Sequence, residues 1–147
     1  MQFSEGKLGR IFALRLTDGE RLPDVLEGFA LEQGIQGALV FYLGGAQHGS
    51  RVVVGPEAGK EAVVPMIHVL QGIQEALAVG TIFPNEAGKP VMHLHAASGR
   101  EGGATVGCTR AGVEVWLVGE VVILEILGTS GQRLKDPESG FELLQFT

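Results

Sequence analysis

Cysteine occurs once in the 147 residues, which excludes an internal disulfide. Apolar runs stop short of the ~20 residues that a membrane-spanning helix requires, so no such span is expected. The opening MQFSEGKLGRIF has an early acidic residue and no apolar stretch ahead of a small-residue cleavage site. That pattern does not read as a signal peptide, and with the unpaired cysteine it fits a reducing cytoplasm. Positive charge is scarce as well: 11 Lys and Arg stand against 17 Asp and Glu, for a formal net charge of -6. No window gathers the cations into the footprint that phosphate backbones require, so charge gives DNA binding no support. The sequence also lacks a Gly-x-x-x-x-Gly-Lys-Ser/Thr loop, a Gly-x-Gly-x-x-Gly fingerprint after a strand, and a Gly-x-Ser-x-Gly elbow. Each absence removes the phosphate, dinucleotide or serine-hydrolase chemistry that its motif would carry.

What remains is a globular composition, 45% hydrophobic and 19% charged. A chain of this length suits one domain, here residues 1–147, and buries enough surface to fold without a disulfide or metal. Its glycines are scattered singly between apolar runs, as turns and bulges require. LGRIFALRL (8–16) reads as a strand that ends at the turn-former Asp18-Gly19. Leu22, Val25, Leu26, Phe29 and Ala30 recur at helical spacing, with Pro23 suited to the first turn and Gly34 to the residue past the end. Strand-like runs follow at 37–45, 50–55, 66–71, 75–83, 90–98, 103–110 and 114–128, with 50–55 expected beside 37–45. The stretch 56–62 reads as a polar loop, and the tail from Asp136 reads as a turn and a short last strand. One helix among about seven strands leaves no βαβ alternation. The expectation is an α+β fold, a mainly antiparallel sheet packed on one face by the main helix.

Chemistry concentrates in PVMHLHAASGREGGATVGCTR, residues 90–110. On a strand, His93 and His95 share one face with their Cα atoms ~6.6 Å apart, flanked there by Val91 and Ala97. Two imidazoles so placed can lean together, each putting a nitrogen ~2.0–2.1 Å from one zinc ion. The short GREG loop predicts a hairpin whose return strand brings Cys108 to within one residue of their level, on a face that the sequence leaves open. Imidazole and thiolate suit zinc or a similar transition metal, and three protein ligands leave a fourth position for water or a small ligand. The competing reading makes all three ordinary buried residues of a hairpin, each satisfied by packing or one hydrogen bond. Glu120, which interrupts an apolar strand, and Glu101 are candidates for a second shell or a base. Arg100 and Arg110 flank the hairpin as candidate anion ligands. His48 reads as a loop residue, and His68 as a core or interface residue.

Several segments in order carry a likeness: LRLTDGERL, FALEQGIQGALVFYLGGA, VGTI followed by GKPVMHLHAASG, GEVVILEI and RLKDPESGFELL. Together they resemble the PPC domain, the plant and prokaryote conserved domain, over nearly the whole chain, in its stand-alone prokaryotic form. The resemblance implies an α+β fold and a homotrimer. It also implies the label of a predicted DNA-binding protein, and in some members a metal held by His-x-His and by a histidine of Gly-Gly-His-Leu. Here VGCTR replaces that last segment, so Cys108 stands where the third histidine would. The Arg-Gly-Arg-Pro hook that precedes the domain in plant relatives does not occur in the sequence. Three functions stay open: a trimeric metal- or ligand-binding module, a metal-dependent enzyme with Glu120 or Glu101 as base, and a DNA-binding protein.

Overall fold

The computed structural model describes residues 1–59 and 63–146. Its elements run β1 (Lys7–Thr17), β2 (Arg21–Leu22), α1 (Asp24–Glu32), β3 (Ala38–Ala46), β4 (Arg51–Pro56), β5 (Pro65–Val69), β6 (Gln74–Pro84), β7 (Pro90–Arg100), β8 (Gly103–Cys108), β9 (Val113–Leu127), β10 (Gly131–Lys135) and β11 (Glu142–Phe146). A 3-10 turn at Thr109–Ala111 separates β8 from β9. Among the described residues one large sheet has the order β1-β9-β3-β6-β7-β8-β4-β5, with β2 paired to β9, and β10-β11 forms a separate hairpin. The strand pairings are antiparallel. This is the expected α+β architecture with more strands than the seven anticipated. The extra ones are the two-residue β2 and the short β10, too brief for a periodic signal to register.

Helix α1 begins after Pro23 and carries Asp24 and Glu27 in its first turn, where carboxylates favour the positive end of the helix dipole. Gly34, at φ +66, follows its end in the left-handed conformation that stops helices. Leu22, expected on the helix, instead pairs with Val113 as part of β2. Leu26 and Ala30 are fully buried against one face of the sheet, in a core with Val40, Leu94, Val115 and Ile123. Phe29 meets Phe12 of β1 edge to face at 5.2 Å, which ties the helix to the sheet's far edge.

Two expectations need correction. Residues 50–55 do not lie beside 37–45. Strand β3 is flanked by β6 and β9, while β4 pairs with β5 and β8. The long apolar β9 wins the place beside β3 because it pairs along the whole strand, from Ala38↔Glu125 to Ala46↔Val115. Of the two places expected for His68, core or interface, the core is excluded: β5 is an edge strand, exposed along its whole length. Of the polar loop 56–62, residues 60–62 lie outside the described residues.

Candidate metal centre

The hairpin that carries the site is tighter than its sequence implies. β7 runs to Arg100 and β8 starts at Gly103, so Glu101 and Gly102 form the whole turn. Both have positive φ, 54 and 80, as a two-residue type I′ turn demands. The register then follows without a bulge, from Arg100↔Gly103 to His95↔Cys108. Directly paired residues share a face, so the open question of Cys108 resolves. Its sulfur lies on the side of the sheet that carries His93 and His95, opposite to α1. Gly107 helps to hold it there. A Cβ at that position would stand 2.8 Å from the Val53 carbonyl oxygen, so only glycine lets β4 close over the end of β8.

The two imidazole Nε2 atoms are 3.0 Å apart, with the rings 76° from coplanar. A ligand atom from each of His93, His95 and Cys108 lies within 4.8 Å of the others. Tetrahedral zinc with ~2.0–2.1 Å Zn–N bonds separates two nitrogens by about 3.3 Å, so the three donors need only small adjustments to share one ion. The donor set fits: two neutral imidazoles and one thiol able to ionise on binding a late transition metal. Burial lowers the His93 pKa, and the charges of Arg133, His95 and Arg110 add to the effect, which keeps the ring neutral and available as a ligand. Thr109 Oγ1 donates to the Leu94 carbonyl oxygen at 3.2 Å and closes the ladder where β8 turns away.

The other expected site residues lie elsewhere. Glu120 is on the same face of the sheet, but on β9, three strands from β7, or ~14 Å at the usual spacing. It is exposed and stands opposite Arg15, so the cost of burial that singled it out does not arise. Glu101 and Arg100 sit at the turn end of the hairpin, ~17–20 Å along β7 from His95. There Arg100 donates to the Ile73 carbonyl oxygen at 2.9 Å and to Glu101 at 3.1 Å. His48 is in a loop, its Nδ1 accepting from the Gly72 amide at 2.9 Å. Arg110 does stay near the centre, its guanidinium over the ring of Phe141 at 5.1 Å.

Sequence reasoning passed over Arg133, which the β10-β11 hairpin brings beside the cluster. Its Nη2 donates to Thr81 Oγ1 at 2.9 Å, and Thr81 is the cross-strand partner of His93. An isolated arginine in a short polar strand gives no local signal for such a position.

Residues 3–127 match the Plants and Prokaryotes Conserved (PCC) domain family, and the chain belongs to it. No curated protein matches the chain. Among solved structures, a metal-containing protein of Archaeoglobus fulgidus is 25% identical, with a TM-score of 0.82 and 99% of each chain covered. A plant- and prokaryote-conserved protein of Pyrococcus horikoshii is 24% identical, with a TM-score of 0.84 over 100% of this chain and 99% of its own. A protein of Ralstonia eutropha JMP134, named as an expected DNA-binding protein, is 21% identical, with a TM-score of 0.70 over 92% of this chain and 90% of its own. At these identities the last two establish the fold alone.

Proposed function

We propose that the protein is a homotrimeric, cytoplasmic metal- and ligand-binding module with a regulatory or assembly role. In this reading His93, His95 and Cys108 hold zinc or a similar ion, and the fourth position stays open to an exchangeable ligand. The observation that carries it is the direct pairing of Cys108 with His95, which gathers three suitable donor atoms within 4.8 Å. The metal-containing relative from Archaeoglobus adds support. Support for the trimer comes from the sheet face that bears the histidines. One row across it reads Ala13, Val122, Phe41, Val79, His95, and the next reads Arg15, Glu120, Leu43, Leu77, Ala97. Phe41, Val79 and Val122 are substantially exposed, and Leu77 is 62% exposed. An exposed patch of this kind, apolar apart from Arg15 and Glu120 at its β1-β9 end, is characteristic of a surface covered in an assembly.

The enzymatic reading has weaker support, because Glu120 and Glu101 stand far from the cluster within the chain. For DNA binding the support is the name of the Ralstonia relative, and a net charge of -6 weighs against it. Elemental analysis of protein purified without added metal tests the proposal. Wild type is expected to hold about one transition-metal ion per chain, and His93→Ala and Cys108→Ser well under half of that. Equal content in all three, or none in wild type, removes the metal centre.

A further inference from the structure

A cavity of about 380 Å³ opens beside His93, in the size range of small-molecule sites. Three elements converge on it because β8 ends at Cys108 and leaves the start of β7 without a strand neighbour on that side. The entry to α1 supplies Glu27, the turn after β8 supplies Arg110, and the C-terminal hairpin supplies Arg133, Phe141, Glu142 and Leu143. Glu27 is already engaged, its Oε1 accepting from the Met92 amide at 2.8 Å.

Arg133 is the unusual member. Only 5% of it is exposed, its one described hydrogen bond goes to Thr81, and its buried Nε has no hydrogen-bond partner. Among the described residues no carboxylate forms an ion pair with it, and the charge of Glu142 acts on it from a distance. A buried guanidinium left in that state is costly unless an anion completes it. Arg110 lines the same cavity, with its guanidinium carbon 5.1 Å from the centroid of the Phe141 ring. The charges of both arginines reach His93, and they stand with Glu27 and Glu142 in a wall that is otherwise largely apolar.

The geometry points to a small organic carboxylate as the ligand of this cavity, its oxygens held by Arg133 and Arg110 and its apolar body against Phe141 and Leu143. This deepens the proposed ligand-binding role and rests on it: the ligand's other end would face the open metal position. With a divalent ion and a thiolate in place, the charged side chains around the cavity carry one surplus positive charge. A monoanion neutralises that surplus, whereas a phosphate dianion overshoots it.

The test is calorimetric titration of the full chain, loaded with zinc, using benzoate in one series and inorganic phosphate in another. Benzoate is expected to bind wild type, and Arg110→Gln to weaken it by about tenfold or more at unchanged zinc content. Arg110 is exposed, so this variant leaves the core intact. Benzoate binding that is absent in wild type, or equal in the two proteins, overturns the assignment. Phosphate binding more tightly than benzoate overturns the carboxylate class. Zinc content measured in the same samples separates this claim from the metal reading. Zinc bound without any benzoate response sinks the ligand and spares the centre, whereas benzoate bound by a zinc-free protein does the reverse.

Discussion

Two glutamates of β9, five residues apart, have opposite circumstances. Glu120 faces outward and is exposed, whereas Glu125 is buried, paired in register with Ala38 of the core. Glu125 accepts from Arg10 three times, from Nε at 2.8 Å, Nη2 at 2.7 Å and the backbone amide at 3.0 Å. The Arg10 side-chain bonds, followed by the backbone bond, hold its pKa down at about 2 against an ordinary 4.5. A depressed carboxylate stabilises the fold fully above its unfolded pKa and loses that effect as pH falls through the folded value. Glu125→Gln is therefore expected to melt several degrees below wild type at pH 7, and the gap to shrink from about pH 4.5 and close near pH 2. Melting curves across that range check it, and a gap that does not depend on pH refutes the ionic account. Both glutamates interrupt an apolar run in the same way, so the sequence could not tell which was buried. That depends on Arg10, 115 residues away in the chain.

The β7-β8 hairpin is the element on which the site depends. Its alternation placed His93 and His95 on one face from sequence alone, with Met92, Leu94 and Ala96 on the other, and the burial pattern agrees. Cys108 was less legible. A GREG loop of four residues would pair Cys108 with His93, whereas the two-residue turn at Glu101-Gly102 pairs it with His95. Both keep the sulfur on the histidine face, and only a bulge or a one-residue slip would move it to the other. The turn settles it at a local cost, because Glu101 occupies a left-handed conformation at φ 54 that asparagine tolerates better. Glu101→Asn is expected to raise stability on the order of 1 kcal/mol, read by urea denaturation. Metal content should be unchanged, since the turn is five or more residues from either histidine. A loss of metal in that variant would return Glu101 to the centre.

At the scale of the molecule, the sheet has one face filled by α1 and the core and another left largely apolar and open. The exposed β5 edge, with Ile67 and Val69 on the side of Val53 and Cys108, extends that open surface. A monomer would leave both the face and the edge in water, and an unprotected edge strand invites further pairing. Sedimentation is expected to give about three times the 15.5 kDa chain mass for wild type. A charge placed in the middle of the face, Leu77→Arg, should shift the protein towards the single-chain mass. Wild type sedimenting at the single-chain mass would dismiss the trimer. No described helix is long and apolar enough to cross a membrane.

The sequence by itself determined the class of the fold, because alternation and helical periodicity are local properties that side chains express wherever the chain goes. It also determined that His93 and His95 stand together, two residues apart on one strand. The tertiary structure decided the rest: that Cys108 meets them, that β9 rather than β4 lies beside β3, that Glu125 is buried, and that Arg133 reaches the cavity. Each of these joins residues distant in the chain, and their energy comes from partners that no local pattern names.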